Sequence, residues 1–184
     1  MKKFLLMALL VVAPICLSGG VAASPLDLPS AAQPPGHNVH LVVKKEQNSF
    51  WRGGGPTRET MLNLQASAKE LNHPVTLIDL RHPPFDDDWI GHAGRLTPSG
   101  EEKMARELGL RYHSISALDK GLVKLIDEAL AEGDVYIHCH YGVNRTGFAV
   151  GRYATARGLE VDRAKLGERD WNQGVAFQKR LMGR

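Results

Sequence analysis

Apolar and polar positions change period along this chain, and the changes mark out its elements. Val75 to Leu80 is an apolar run with one polar break, the pattern of a strand buried on both faces. Residues 134–138 and Leu110 to Ile115 read as further strands, and Asn38 to Val43 as a first one. Between them the spacing lengthens. Leu122, Leu125, Ile126, Ala129 and Leu130 keep a helical period from about Gly121. Thr97-Pro98 has a capping hydroxyl and a proline for the first turn of a helix. Gly53-Gly54-Gly55-Pro56 breaks the chain before a helix over Thr57 to Leu71, and Phe148 to Arg157 reads as another helix. The tail from Asp162 is expected to be helical with a break near Gly167. Strands alternating with helices predict an α/β domain, a central and mostly parallel sheet of four to five strands flanked by helices. Functional loops then belong at the carboxyl ends of the strands. Arg81, Asp119 and Cys139 each follow or close a predicted strand. Trp51, Trp89 and Trp171 are expected to pack in the core.

The amino terminus departs from this pattern. Met-Lys-Lys is followed by an apolar run from Phe4 to Leu17 and by small residues ending at Ala23. These are the three parts of a secretory signal peptide, and the run is short for a membrane span. Cleavage after Ala23 is expected, which places the protein in a secreted or periplasmic location with no stable membrane insertion. Ala13-Pro14-Ile15 before Cys16 is a poor lipidation signal. Residues 24–37 carry four prolines and read as an extended arm. Residues 38–184 are then a single domain, large enough for a core.

Cleavage takes 23 of the 184 residues and leaves 161. It removes Lys2 and Lys3 and no acid, so a formal charge of +3 becomes +1. That is no polycation, and no nucleic-acid partner is implied. It also removes Cys16, leaving Cys139 as the one cysteine of the mature chain. A lone thiol in an oxidising compartment reads as a reagent rather than as packing.

Residues 138–147 read His-Cys-His-Tyr-Gly-Val-Asn-Arg-Thr-Gly, at the junction of the strand over 134–138 and the next helix. Backbone N–H groups converge at such a turn, and the helix dipole adds roughly half a positive charge. The resulting nest binds anions and stabilises Cys139 as a thiolate, the nucleophilic form. Arg145 supplies a planar fork that matches two phosphate oxygens. Gly142 lets the backbone turn without filling the pocket. Thr146 can donate a hydrogen bond to the sulfur.

This stretch resembles the H-C-x5-R-[S/T] loop of the protein tyrosine phosphatase superfamily, in its compact dual-specificity-like branch. The resemblance extends more weakly to "TLIDLR" at 76–81, similar to that family's central strand. It also reaches "FWRGGGPTRETM" at 50–61, similar to the short strand and first helix before it. It implies a cysteine-dependent phosphatase without cofactor or metal. Cys139 would be the nucleophile, Arg145 the phosphoryl-binding group, Thr146 an aid to the second step and His138 a tuner of the cysteine from behind. His140, Tyr141, Gly142, Val143 and Asn144 complete the phosphate loop, and Arg81, His82, Lys120, His140 and Arg152 fall on or near segments expected to surround the pocket as a local basic rim.

The chemistry also needs a proton donor for the leaving oxygen. Asp119, in "RYHSISALDKG", is the candidate. The alternative role for it is to cap the following helix. Asp86, Asp87 and Asp88 are runners-up in "RHPPFDDDWIGH". His82 and His92 flank them at a spacing that fits no standard zinc pattern. The segment around Asp119 resembles the acid loop of phytases of this fold. With Lys120 and His140, that favours an inositol polyphosphate substrate. A phosphoprotein is the alternative. "YGVNRTGF" is also similar to the loop of RNA 5′-triphosphatases of the superfamily, but a signal peptide argues against RNA capping. A phosphate-binding pseudophosphatase would need a catalytic group to be missing. A rhodanese-like sulfur transferase fits Arg-Thr-Gly less well than a phosphatase does.

Overall fold

The structure is a computed structural model, and it describes residues 39–81 and 94–159. The signal-peptide, arm and tail expectations, Trp89, Trp171, Asp86–Asp88, His82 and His92 lie outside the described residues. Five strands form one sheet: β1 (His40–Lys45), β2 (Asn48–Gly53), β3 (Val75–Asp79), β4 (Arg111–Ser114) and β5 (Asp134–His138), in the order β1-β2-β5-β3-β4. β2, β5, β3 and β4 pair in parallel, and only β1 is antiparallel, against β2. The expected mostly parallel α/β architecture is therefore present. Among the described residues four helices flank the sheet: α1 (Arg58–Leu71), α2 (Pro98–Leu108), α3 (Leu122–Glu132) and α4 (Asn144–Arg157).

The period of two along each strand divides the core into two halves. On β5, Val135 and Ile137 join α3 and α4 residues such as Ile126 and Val150, while Tyr136 faces Met61, Leu64 and Ala105 of α1 and α2. On β3, Ile78 joins the first group, and Val75 and Leu77 join the second. Burying a side chain of this size stabilises by about 1.5–3 kcal/mol. A one-residue slip in β5 would exchange its faces, so the register is firmly set.

The helix starts follow local chemistry. Thr57 caps α1 by accepting from the Thr60 N–H at 3.2 Å, and Thr97 caps α2 by accepting from Gly100 at 3.2 Å, with Pro98 in the first turn. α4 begins differently. It starts at Asn144 rather than at Phe148, has no side-chain cap and carries no acid in its first turn. Its first N–H groups therefore face the loop after β5 without a competing anion.

Candidate active site

The carboxyl ends of β2, β3, β4 and β5 lie on one edge of the sheet, and Gly53-Gly54, Arg81, Asp119 and Cys139 all come from the segments that leave that edge. β5 lies in the middle of this group. The phosphate-binding candidates are thus placed on the central strand and at the start of α4.

The loop from Cys139 to Val143 is held from outside. The Gly55 N–H donates to the His140 carbonyl at 3.0 Å, and the Arg52 guanidinium, fully buried on β2, donates to the Gly142 carbonyl. The Tyr136 hydroxyl donates to the Gly54 carbonyl at 2.8 Å and so fixes the neighbouring wall. Gly142 has φ +73°, and a Cβ there would meet the Gly53 carbonyl group and stand 2.6 Å from the Gly54 nitrogen. No side chain fits between these two backbones, which is the physical reason for glycine at this position.

Cys139 is 4 % exposed and belongs to the α3/α4 side of the core. Burial pushes its thiol up. The Thr146 hydroxyl, the Arg145 charge and the N–H groups of Thr146 and Gly142 outweigh burial and hold it below its ordinary value. Thr146 Oγ1 is buried and has no hydrogen-bond partner among the described residues; its hydroxyl acts on the thiol as one of the groups that lower it. Arg145 is also buried, with Nη1 3.4 Å from the Leu80 carbonyl. The structure therefore brings Cys139, Arg145 and Thr146 together at the start of α4.

Because Thr146 supports the thiolate, Thr146→Val is expected to raise the pH at which Cys139 becomes reactive. Wild-type alkylation by iodoacetamide should have its midpoint below about 8.5, the free-thiol value. The reactive thiolate is lost as pH falls through the lowered value, and without the hydroxyl that loss begins at higher pH. Mass-spectrometric alkylation rates of the Cys139 peptide across pH check this, and an unmoved midpoint would remove Thr146 from this role.

On the opposite face of β5, His138 enters a buried ionic cluster. Its Nε2 lies 2.7 Å from Glu101 Oε1 of α2, and its Nδ1 lies 3.3 Å from the Cys139 carbonyl oxygen and 3.9 Å from Asp79 Oδ1. Arg81 completes the cluster. Its Nε and Nη2 donate to the two Asp79 oxygens at 2.9 Å, Nη2 also donates to Glu101, and Nη1 donates to the Leu96 carbonyl at 2.8 Å. Tyr112 donates to Asp79 Oδ2 at 2.9 Å. Burial pulls His138 down, but the Glu101 and Asp79 charges reverse this and raise it. Burial pushes Asp79 up, yet His138 and Arg81 hold it below the usual carboxylate range. Glu101 is raised, chiefly by burial. Two carboxylates and a histidine come close enough here to suggest a cation site. Arg81 and His138 already occupy that role with their own charge.

Arg81 is therefore not on the rim, contrary to the expectation from its place after β3. It is 2 % exposed, with all three guanidinium nitrogens engaged. His140 is likewise not a rim cation. It is 6 % exposed and packs edge-on against Tyr141 at 4.4 Å. Tyr141 is 53 % exposed, Val143 half-buried and Asn144 exposed; Lys120 is exposed beside Asp119. Two contributors were not anticipated. Arg52 braces the loop from β2, and Arg95, 6 % exposed, sits with its guanidinium 5.1 Å from the Tyr141 ring centre. An arginine inside the otherwise apolar "SFWRG" was a signal for the first; nothing local marked the second.

Asp119 is exposed. Its Oδ1 accepts from the Gly121 N–H at 2.7 Å, just ahead of α3, and its own N–H donates to the Ser116 carbonyl at 2.9 Å. The side chain thus closes a turn ahead of α3 rather than capping it, since the N-cap is Gly121 and no side chain caps the helix, and the loop leaves the same sheet edge as Cys139.

No known protein-family model matches the sequence, and no curated protein matches it. Solved structures do. TpbA from P. aeruginosa is 19 % identical over 83 % of this chain and 88 % of that chain, with a TM-score of 0.45. The core catalytic domain of the PP-IP phosphatase SIW14 from S. cerevisiae, in complex with citrate, is 17 % identical over 81 % and 87 %, with a TM-score of 0.48. A DUF442 protein from Shewanella putrefaciens is 14 % identical over 78 % and 89 %, with a TM-score of 0.49.

Proposed function

We propose that this protein is a cysteine-dependent phosphatase that hydrolyses phosphate monoesters through a phosphocysteine intermediate. One observation carries the reading: a buried thiol held below its ordinary value by Thr146, Arg145 and two loop N–H groups, at the uncapped start of α4. An anion-binding nest around a thiolate is costly unless an electrophilic anion is to enter it. Phosphate suits both the nest and the Arg145 fork.

In the first step the Cys139 sulfur attacks phosphorus and the phosphorus–oxygen bond to the leaving group breaks. The leaving oxygen takes its proton from Asp119, and Arg145 with the loop N–H groups holds the equatorial oxygens. In the second step water attacks the phosphocysteine and gives a proton to Asp119. The sulfur–phosphorus bond breaks, and Thr146 stabilises the returning thiolate. The products are inorganic phosphate and the free hydroxyl compound. No cofactor or metal enters this sequence.

For the substrate, exposed Lys120 beside Asp119 supports an inositol polyphosphate. The burial of His140 removes one of the two cations on which that reading relied, and the burial of Arg81 removes a further rim candidate. Exposed Tyr141 and Leu118, the latter next to Asp119, favour a second reading, an aryl phosphate such as phosphotyrosine in a protein. Phosphate release from inositol hexakisphosphate and from a phosphotyrosine peptide, measured side by side, separates the two. Faster release from the inositol ester supports the first and faster release from the peptide the second. Release from neither, nor from a simple aryl phosphate, overturns the phosphatase reading.

A further inference from the structure

The acid and the nucleophile lie on different loops, so something must set the distance between them. We propose that Arg152 positions the general-acid loop against the phosphate loop. The proposal rests on the phosphatase reading and on Asp119 as its acid.

Arg145 and Arg152 are seven residues apart on α4, two helical turns, and so project from one face to within about 20°. Arg145 serves the phosphate site from the first turn. Two turns on, Arg152 Nη1 donates to the Ala117 carbonyl at 2.6 Å and to the Asp119 carbonyl at 3.0 Å. Those two carbonyls bracket Leu118 in the segment between β4 and α3. The Phe148 ring, one turn before Arg152, lies 5.7 Å from its guanidinium and steadies the side chain.

The loop's own bonds do a different job. Asp119 N–H to Ser116 carbonyl, Leu118 N–H to Ser116 Oγ and Gly121 N–H to Asp119 Oδ1 shape the turn from within. They say nothing about where that turn sits relative to Cys139. Ala117 packs in the core beside α4 residues, and the Arg152 bonds tie the acid residue's own backbone to the helix that carries Arg145. α4 is therefore a rigid strut with a phosphate-binding end and an acid-holding middle. Displacing a catalytic group by about 1 Å costs on the order of a hundredfold in rate, so a lost tie of this kind has a readable effect.

The test uses Arg152→Met, which keeps the stem over Phe148 and removes the donors, and Arg152→Lys, which keeps a donor should the first variant fold poorly. Turnover is measured on nitrophenyl phosphate, whose leaving group needs little protonation, and on an alkyl phosphate, whose leaving group needs it fully. Arg152→Met is expected to slow the alkyl ester about tenfold to a hundredfold. The nitrophenyl ester should slow about twofold at most, with KM and vanadate inhibition unchanged, and Arg152→Lys should fall between Arg152→Met and wild type. In an Asp119→Asn background, which itself slows the alkyl ester more than the nitrophenyl ester, Arg152→Met should add no further selectivity. Equal losses on both esters, weaker vanadate inhibition, or an additive effect in the Asp119→Asn background would overturn the proposal. Failures of the underlying reading look different. A wild-type protein inert on both esters overturns the phosphatase assignment, and an Asp119→Asn variant without selectivity overturns Asp119 as the acid; either removes the proposal with it.

Discussion

Cys139→Ser is expected to abolish turnover while leaving the binding of a phosphate analogue such as tungstate intact. The loop that receives the anion is built from backbone N–H groups, the Arg145 fork and the start of α4, and none of these depends on sulfur. Arg52, Gly55 and the Gly142 turn brace that loop from outside, so a serine leaves its shape unchanged. What changes is the nucleophile. The donors that hold the thiol below its ordinary value have far less effect on an alcohol, whose ionisation starts many units higher. Removing the attacking atom of a covalent mechanism costs at least about 10⁴-fold in rate. Phosphate release and analogue binding by calorimetry, measured on the same sample, check both halves. Turnover retained in the serine variant would remove Cys139 as the nucleophile. Loss of analogue binding would mean that the sulfur shapes the site rather than reacts in it.

How much of this site could be read in the chain depends on how local each part is. Cys139, Gly142, Arg145 and Thr146 fall within eight consecutive residues, so one strand-to-helix junction brings them together whatever the rest of the fold does. The parallel core was legible because the apolar residues of Val75–Asp79 and Asp134–His138 run together without a solvent-facing alternation, and both strands are buried on both faces. β1 was harder to bound. It runs two residues beyond the expected end and returns through Glu46, which adopts φ +55° without being glycine or asparagine, so the usual turn signal is missing. Arg81 was misplaced because the groups that claim it are split. Asp79 is two residues away and shares its face of the strand, but Glu101 comes from another helix and is brought near by the tertiary fold. The start of α4 was expected too late because its first turn carries loop chemistry, Asn-Arg-Thr-Gly, rather than an apolar period. The Gly147 N–H already donates to the Val143 carbonyl at 2.8 Å. Arg152 is the clearest case of a long-range role. Its type and place suggested a rim cation, and only the packing of α4 against the 115–121 segment shows that it holds carbonyls.

The ionic cluster behind Cys139 leads to the other large expected effect: Glu101→Ala destabilises the protein by about 3–5 kcal/mol, with a smaller loss for Glu101→Gln. Glu101 is fully buried and contacts both His138 and Arg81. Without it, a guanidinium and an imidazolium remain in the interior with Asp79 as their one carboxylate partner in the cluster. Glutamine keeps the shape and a hydrogen-bonding group, so it isolates the charge from the cavity. The two directions of shift then set the pH dependence. Glu101 and His138 are both raised, so the pair holds its shared proton above the ordinary values of its members. Stability from a raised group is fully present below the unfolded value, about 6.5 for histidine, and is lost as pH rises through the folded one. The gap between wild type and Glu101→Gln should therefore narrow on the alkaline side without closing, because the Arg81 contact persists there. Urea unfolding of the three proteins at pH 6 and pH 9 measures it. A gap that stays constant would show that the Glu101–His138 proton contributes nothing to folding. The cluster would then act only through the Cys139 carbonyl, which the His138 ring meets.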